Sequence, residues 1–217
     1  MSLLLGIDVG TSSLKVGAVS AQTGEFVGWA ETRYSLEHPQ PGWAELPAER
    51  YWQALGDALA RLGEKVDLRA VRALAVSGQA QTMIPVDRNG RSLHSAWTWL
   101  DGRAQAEADE LNRRFDAEDV FSHCGLSGIY PGLFVTLARH FQRNQSRIFQ
   151  QTWKLLQVTS FIVHRLTGQA VWDANLASMG AVYDWRRGRW WDEMLTAAEL
   201  DVEKLADVLP SGSPVGE

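Results

Sequence analysis

The run Leu3 to Asp8 is apolar up to its final carboxylate, Gly10-Thr11-Ser12-Ser13 is small and polar, and Leu14 to Val19 is apolar again. A chain that opens this way is committed to two short strands joined by a tight turn. Thr23-Gly24 marks a second turn into Glu25 to Tyr34, so an antiparallel three-strand meander is expected. Pro39, Pro41 and Gly42 then break the chain, Pro47 occupies a first helical position, and Trp52, Leu55, Leu59 and Leu62 recur at helical spacing. Val71 to Ser77 and Thr82 to Val86 return to strand, closed by the turn Asp87-Arg88-Asn89-Gly90. The hydrophobic period switches from 2 to 3.6 and back, which predicts an α/β domain: a mixed β-sheet flanked by helices.

Beyond Asp101 the pattern is helical. Helices are expected over Ala104 to Phe115, over Leu155 to Leu166 with Thr167-Gly168 as its stop, and over Trp190 to Leu200. The tail from Leu209 is rich in Pro, Ser and Gly and reads as a connection to further chain.

The formal net charge is -5, with no Lys/Arg stripe, so nucleic acid is excluded as a partner. One cysteine, Cys124, excludes an internal disulfide and a Cys-based zinc cluster, and it reads as a buried thiol. No stretch is long and apolar enough for a membrane span or signal peptide, which predicts a cytoplasmic protein with no membrane partner. His38, His94, His123, His140 and His164 lack metal-ligand spacing and read as packing or surface residues. The run Arg186-Arg187-Gly188-Arg189 reads as a solvated turn or as an interface, and a homodimer is among the partners considered.

The chemistry concentrates at Asp8 to Lys15. Gly10 is expected to free the backbone so that consecutive amides face one anion, Thr11, Ser12 and Ser13 add hydroxyl donors, and Lys15 adds a positive charge. Asp8 repels phosphate and makes sense only with a cation between them, most naturally Mg²⁺ with its water shell. These residue types are also common in ordinary β-turns. The flanking strands and the Ser/Lys content favour phosphate binding.

The segment Gly6 to Lys15 resembles the first phosphate motif of the actin, Hsp70 and sugar-kinase superfamily, whose core is a ribonuclease-H-like sheet; no Walker pattern is present. Pro41-Gly42-Trp43-Ala44-Glu45, Ser77-Gly78-Gln79 and Trp97-Thr98-Trp99-Leu100-Asp101-Gly102-Arg103 resemble segments of the FGGY carbohydrate kinases, the xylulokinase-like members above all. Tyr130-Pro131-Gly132, Arg165-Leu166-Thr167-Gly168 and Asp173-Ala174-Asn175 extend the resemblance in family order.

The resemblance implies ATP and Mg²⁺ as cofactors, a small sugar or polyol as substrate, Asp8 in metal and phosphate positioning, and Gly10, Thr11, Ser12, Ser13 and Lys15 at the ATP phosphates. It implies Gln79, Ala80, Gln81, Trp99, Asp101 and Arg103 at the sugar. A sugar site needs an aromatic platform and groups that bond hydroxyls, and those residues supply both. Asp101-Gly102-Arg103 reads equally well as an Asp-capped helix start, Arg103 as an ion-pair partner, and Trp99 as core packing. Gln79-Ala80-Gln81 stands where xylulokinases carry Gln-Met-His, Thr136-Leu137 where they carry Pro-Lys, and Val158-Thr159 where they carry Lys-Asp. These departures count against xylulose itself; the expected substrate is a ketose, such as xylulose, or a polyol, and one outside the best-known members fits best.

On this reading residues 1–217 are the N-terminal sugar-binding domain of a two-domain kinase, whose nucleotide domain and general base lie beyond Glu217. This chain alone would bind sugar weakly and transfer no phosphate. The alternatives are a non-catalytic sugar-binding or regulatory module, and a hydrolase of the Hsp70 or acetate-kinase type, which the Trp-x-Asp-x-Arg element disfavours.

Overall fold

The structure, a computed structural model, describes residues 2–216. Strand β1 (Leu3–Val9) buries Leu3, Leu5, Ile7 and Val9 and turns Leu4, Gly6 and Asp8 outward, the period-2 signature of a strand with one face on a core. The expected meander forms: β2 (Ser13–Ser20) and β3 (Phe26–Arg33) follow antiparallel, with Asp8 opposite Lys15 and Lys15 opposite Glu31. After the short strand β4 (Glu45–Leu46), helix α1 (Glu49–Gly63) lays a stripe of Tyr51, Ala54, Leu55, Ala58 and Leu62 against β2 and β3.

Strand β5 (Val71–Gly78) then pairs parallel with β1, giving the sheet order β3-β2-β1-β5. The two parallel strands end side by side. A side-chain carbon at Gly78 would lie 2.5 Å from the Val9 carbonyl oxygen, so only glycine fits this approach. The Gln79 N–H donates to that carbonyl at 2.9 Å and carries the ladder one residue further.

The remaining chain builds a second sheet and a helical layer. In order come β6 (Met83–Val86), β7 (Ala96–Trp97), α2 (Gln105–Asn112), α3 (Ala117–Cys124), α4 (Phe134–Asn144), α5 (Ser146–Gln151), β8 (Lys154–Gln157) and α6 (Val158–Thr167). Strands β4, β7, β6 and β8 form an antiparallel sheet in that order, so the strand expected at Thr82 to Val86 belongs here and not beside β5. The chain finishes with β9 (Val171–Asp173), α7 (Ala174–Met179), β10 (Tyr183–Asp184), β11 (Arg189–Trp190), α8 (Asp192–Ala197) and β12 (Asp207–Leu209).

Two expected helices are corrected. Leu155, Leu156 and Gln157, the first three residues of the helix expected over Leu155 to Leu166, pair with β6 as part of strand β8, and the helix starts only at Val158. A continuous apolar run does not distinguish buried strand from buried helix; the available partner does. Trp190 sits in the β10–β11 hairpin, and α8 stops before Glu199, whose φ is +57°. Leu209, expected in an irregular tail, pairs with Asp173 in the parallel β12–β9 ladder.

One apolar core runs through both sheets, with Leu14, Tyr51, Trp97, Phe134, Phe141 and Trp172 fully enclosed. His94 and His140 lie edge-on to Trp97, and His123 stacks on Trp191 at 4.3 Å. Among the described residues no helix is long and apolar enough to cross a membrane.

Candidate functional site

The turn from Gly10 to Ser12 joins β1 to β2 beside the end of β5. Asp8 is half-exposed, with its Oδ2 3.6 Å from Lys15 Nζ across the hairpin. An exposed pair of this kind contributes at most about 1 kcal/mol, so both groups remain available to a ligand. The Gly10 N–H closes the turn onto the Ser13 carbonyl at 2.9 Å, while the Thr11 and Ser12 N–H groups have no partner among the described residues. Those two amides are the unpaired donors of the turn.

Gly10 is glycine for a different reason from the one expected. Its φ is not positive, but a side-chain carbon would sit 2.9 Å from the Ser13 carbonyl oxygen. Ser13 leaves the candidate phosphate set: it is buried, and its hydroxyl bond is the first of the causes that hold the Glu31 carboxyl below its usual value, ahead of the Arg33 and Lys15 charges.

Asp101 and Arg103 turn out to be scaffold. Asp101 Oδ2 accepts the Ala44 N–H at 2.7 Å and Arg103 Nη2 at 2.8 Å. Its Oδ1 accepts the Arg103 N–H at 3.0 Å and Nε at 2.8 Å. The Arg103 guanidinium also donates to Glu45 Oε2 at 2.6 Å and lies between the rings of Trp43 and Trp97, 3.8 and 4.0 Å from their centroids. With side chains 0% and 3% exposed, neither residue has an edge to offer a sugar. The Pro-Gly-Trp-Ala-Glu and Trp-x-Asp-x-Arg segments are two halves of one buried lock.

The glutamines are reassigned on the same grounds. Gln79 Nε2 donates to the Gly10 carbonyl and to the Tyr51 hydroxyl, each at 3.1 Å, so both of its amide protons are committed. Gln81, with φ +67°, is buried; its side-chain oxygen accepts the first N–H of α4, from Phe134, at 2.9 Å. Its own N–H donates to Gln157 Oε1 at 3.1 Å, and its Nε2 is enclosed without a partner. Ala80 between them presents no polar group.

Trp99 is not core packing. It is 47% exposed, and its indole N–H donates to Thr11 Oγ1 at 3.1 Å. Leu100 and Tyr130 are exposed to a similar degree, and the Tyr130-Pro131-Gly132 loop closes on the Trp99 backbone so tightly that a side chain at Gly132 would overlap the Trp99 carbonyl.

Sequence reasoning missed Tyr34 and Tyr51. The Tyr34 hydroxyl donates to the Gly10 carbonyl at 2.6 Å, and the two rings meet edge-to-face at 5.3 Å. Burial above all, then the neighbouring Tyr51 and Asp8, pushes the Tyr34 hydroxyl far above its ordinary value, so it stays a neutral donor. Both read as core positions, and only their hydroxyls meeting polar atoms of the turn region mark them.

The donor set suits a hydrated Mg²⁺. Asp8 is one half-exposed carboxylate beside the free Thr11 and Ser12 amides, and no cluster of three or more His, Cys, Asp or Glu able to hold a metal occurs among the described residues. Mg²⁺ is typically held by one or two carboxylates, several waters and substrate phosphates, in place of an all-protein cage.

A solved xylulose kinase from Rhodospirillum rubrum superposes with a TM-score of 0.90 at 24% identity, over 99% of this chain and 44% of that one. The chain has the actin/Hsp70-like fold of the sugar kinases. Residues 3–217 match the N-terminal domain of the FGGY family of carbohydrate kinases, and the chain belongs to that family. The xylulose kinase of Escherichia coli (strain K12) is 30% identical over 203 residues, covering 94% of this chain and 41% of its own length. A glycerol kinase of Albidiferax ferrireducens is 29% identical over 233 residues, covering 100% of this chain and 45% of its own length. The chain thus spans less than half the length of these relatives.

Proposed function

We propose that this chain is the sugar-binding part of an ATP-dependent kinase that phosphorylates a hydroxyl of a small ketose or polyol in the cytoplasm. The observation that carries the reading is the meeting of the Asp8-to-Lys15 turn, with its two free amides, and the half-exposed Trp99 face at hydrogen-bond distance.

Trp99 and Tyr130 offer apolar faces to the C–H side of a sugar. The Thr11 and Ser12 amides, with Lys15, orient the phosphates. Asp8 would hold Mg²⁺ through water, and the ion would supply charge neutralisation at the transferring phosphoryl group. Preorganised donors of this kind contribute most of the catalysis in phosphoryl transfer. The base that takes the proton from the attacking hydroxyl belongs to the remaining part of the enzyme, together with the nucleotide domain. Support for such a partner comes from the relatives' greater length and from β5, whose residues are largely exposed and whose outer edge has no partner strand among the described residues.

The test is a thermal-shift and calorimetry panel of D-xylulose, glycerol and related polyols on the 217-residue chain. A ligand at one hundred times its dissociation constant stabilises the fold by about 2.7 kcal/mol. That raises Tm by roughly 5–10 °C in a domain of this size. If no ketose or polyol shifts Tm, the reading is wrong. Sugar-dependent ATP consumption by this chain alone would contradict the assignment of the base to another segment.

A further inference from the structure

Trp99 sits at the junction of two systems. Its backbone is pinned: the Asp101 N–H returns to the Thr98 carbonyl at 2.9 Å, the Thr98 N–H and hydroxyl both donate to the Ala44 carbonyl at 3.0 Å, and Gly132 abuts its own carbonyl. Only the indole is free to respond to what lies on it. The indole N–H reaches Thr11 Oγ1, and the Thr11 hydroxyl proton is directed at Gln79 Oε1 at 3.3 Å. Gln79 in turn holds the Gly10 carbonyl, which also accepts from Tyr34. A continuous chain of hydrogen bonds therefore joins an exposed aromatic face to the backbone of the phosphate turn.

A hydroxyl has one proton to give. While Trp99 occupies a Thr11 lone pair and Gln79 takes its proton, the hydroxyl is oriented, and so is the peptide that carries the free Thr11 amide. A ligand that tilts the indole changes the first of these bonds and is felt at the turn. Coupling between two sites needs such a contact, one whose geometry both sites bias.

We propose that Trp99 is a positioning residue for the phosphate turn as well as a platform for the sugar, acting through its indole N–H on Thr11. Occupation of the sugar face thereby sets the orientation of the turn that receives the phosphates, with Gln79, Tyr34 and Tyr51 as its fixed backing. This inference rests on the proposed sugar site.

The experiment is ¹⁵N-resolved NMR on the 217-residue chain, with the Trp99 indole resonance identified by its loss in Trp99→Phe. Thr11→Val should move that resonance to the position of a water-bonded indole, and Thr11→Ser should restore it. D-xylulose or glycerol at saturation should shift the Thr11 and Ser12 amides of the unmutated chain. In Trp99→Phe, which keeps a ring but has no N–H, those shifts should be lost at saturation although the sugar is bound more weakly. Sugar that binds without moving the two amides, or moves them equally in Trp99→Phe, overturns the linkage and leaves the sugar site standing. Failure of every ketose and polyol to bind the unmutated chain overturns the sugar site, and the linkage with it.

Discussion

Two acid–base pairs of this chain behave in opposite ways. Asp101 and Arg103 are enclosed, and every carboxylate oxygen and most guanidinium protons have protein partners. Asp8 and Lys15 are each half-exposed, loosely paired at 3.6 Å, with free amides beside them. The first pair has its bonding capacity used up inside the fold and so can only hold shape. The second has capacity left over, which is what a ligand requires. Residue type alone does not separate a lock from a site; unused valence does.

The contrast is sharpest in stability. Asp101→Ala would strip the buried Arg103 of one of its two carboxylate partners, leaving Glu45, and would take the acceptor from the Ala44 and Arg103 N–H groups; breaking a buried pair costs about 3–5 kcal/mol. Calorimetry on the ligand-free chain should show Tm lower by roughly 6–20 °C. A fall of under about 2 °C accompanied by lost sugar binding would return Asp101 to the ligand set. Arg103→Lys keeps the charge but loses the planar fork between Trp43 and Trp97, with an expected loss of about 1–3 kcal/mol in urea unfolding.

Asp8→Ala should change stability by no more than about 0.5 kcal/mol, because the pair it breaks is exposed. On the proposed function, the same change in a longer chain that includes the nucleotide domain should lower sugar-dependent phosphate transfer by about 10²–10³-fold. A large stability loss without loss of transfer would reverse the assignment of the two pairs.

The smallest effect at neutral pH belongs to the buried thiol of Cys124. Burial pushes it up to about 12, against a small opposing contribution from its bond to the Tyr183 carbonyl region. An unfolded thiol titrates near 8.5, so the stabilisation tied to this group is complete below about pH 8.5 and is lost as pH rises towards the folded value. Modification by a thiol reagent at pH 8 should therefore be slow in the folded chain and fast in denaturant. Equal rates in both would place Cys124 at the surface.

Much of the fold was legible because it follows from local rules. The β1–β2–β3 meander, α1 and β5 announce themselves by period and turn chemistry, and each formed within a few residues of its expected limits. Lys154–Gln157 did not, because an apolar run is equally good strand or helix until β6 offers it a partner. The turn at Asp8 was legible for the same local reason, while the roles of Gln79, Gln81, Asp101 and Arg103 were not. Each of these side chains is occupied by a group far away in the chain: Gly10 and Tyr51, Phe134, Ala44 and Glu45.

By itself the sequence determined the family, the α/β class and the place of the tight turn after Asp8, since period, turn residues and motif order are properties of neighbours along the chain. The tertiary structure decided which polar residues are tools and which are bolts. That depends on desolvation and on partners brought together from far along the chain, as Thr11 is with Gln79, 68 residues away, and with Trp99, 88 residues away.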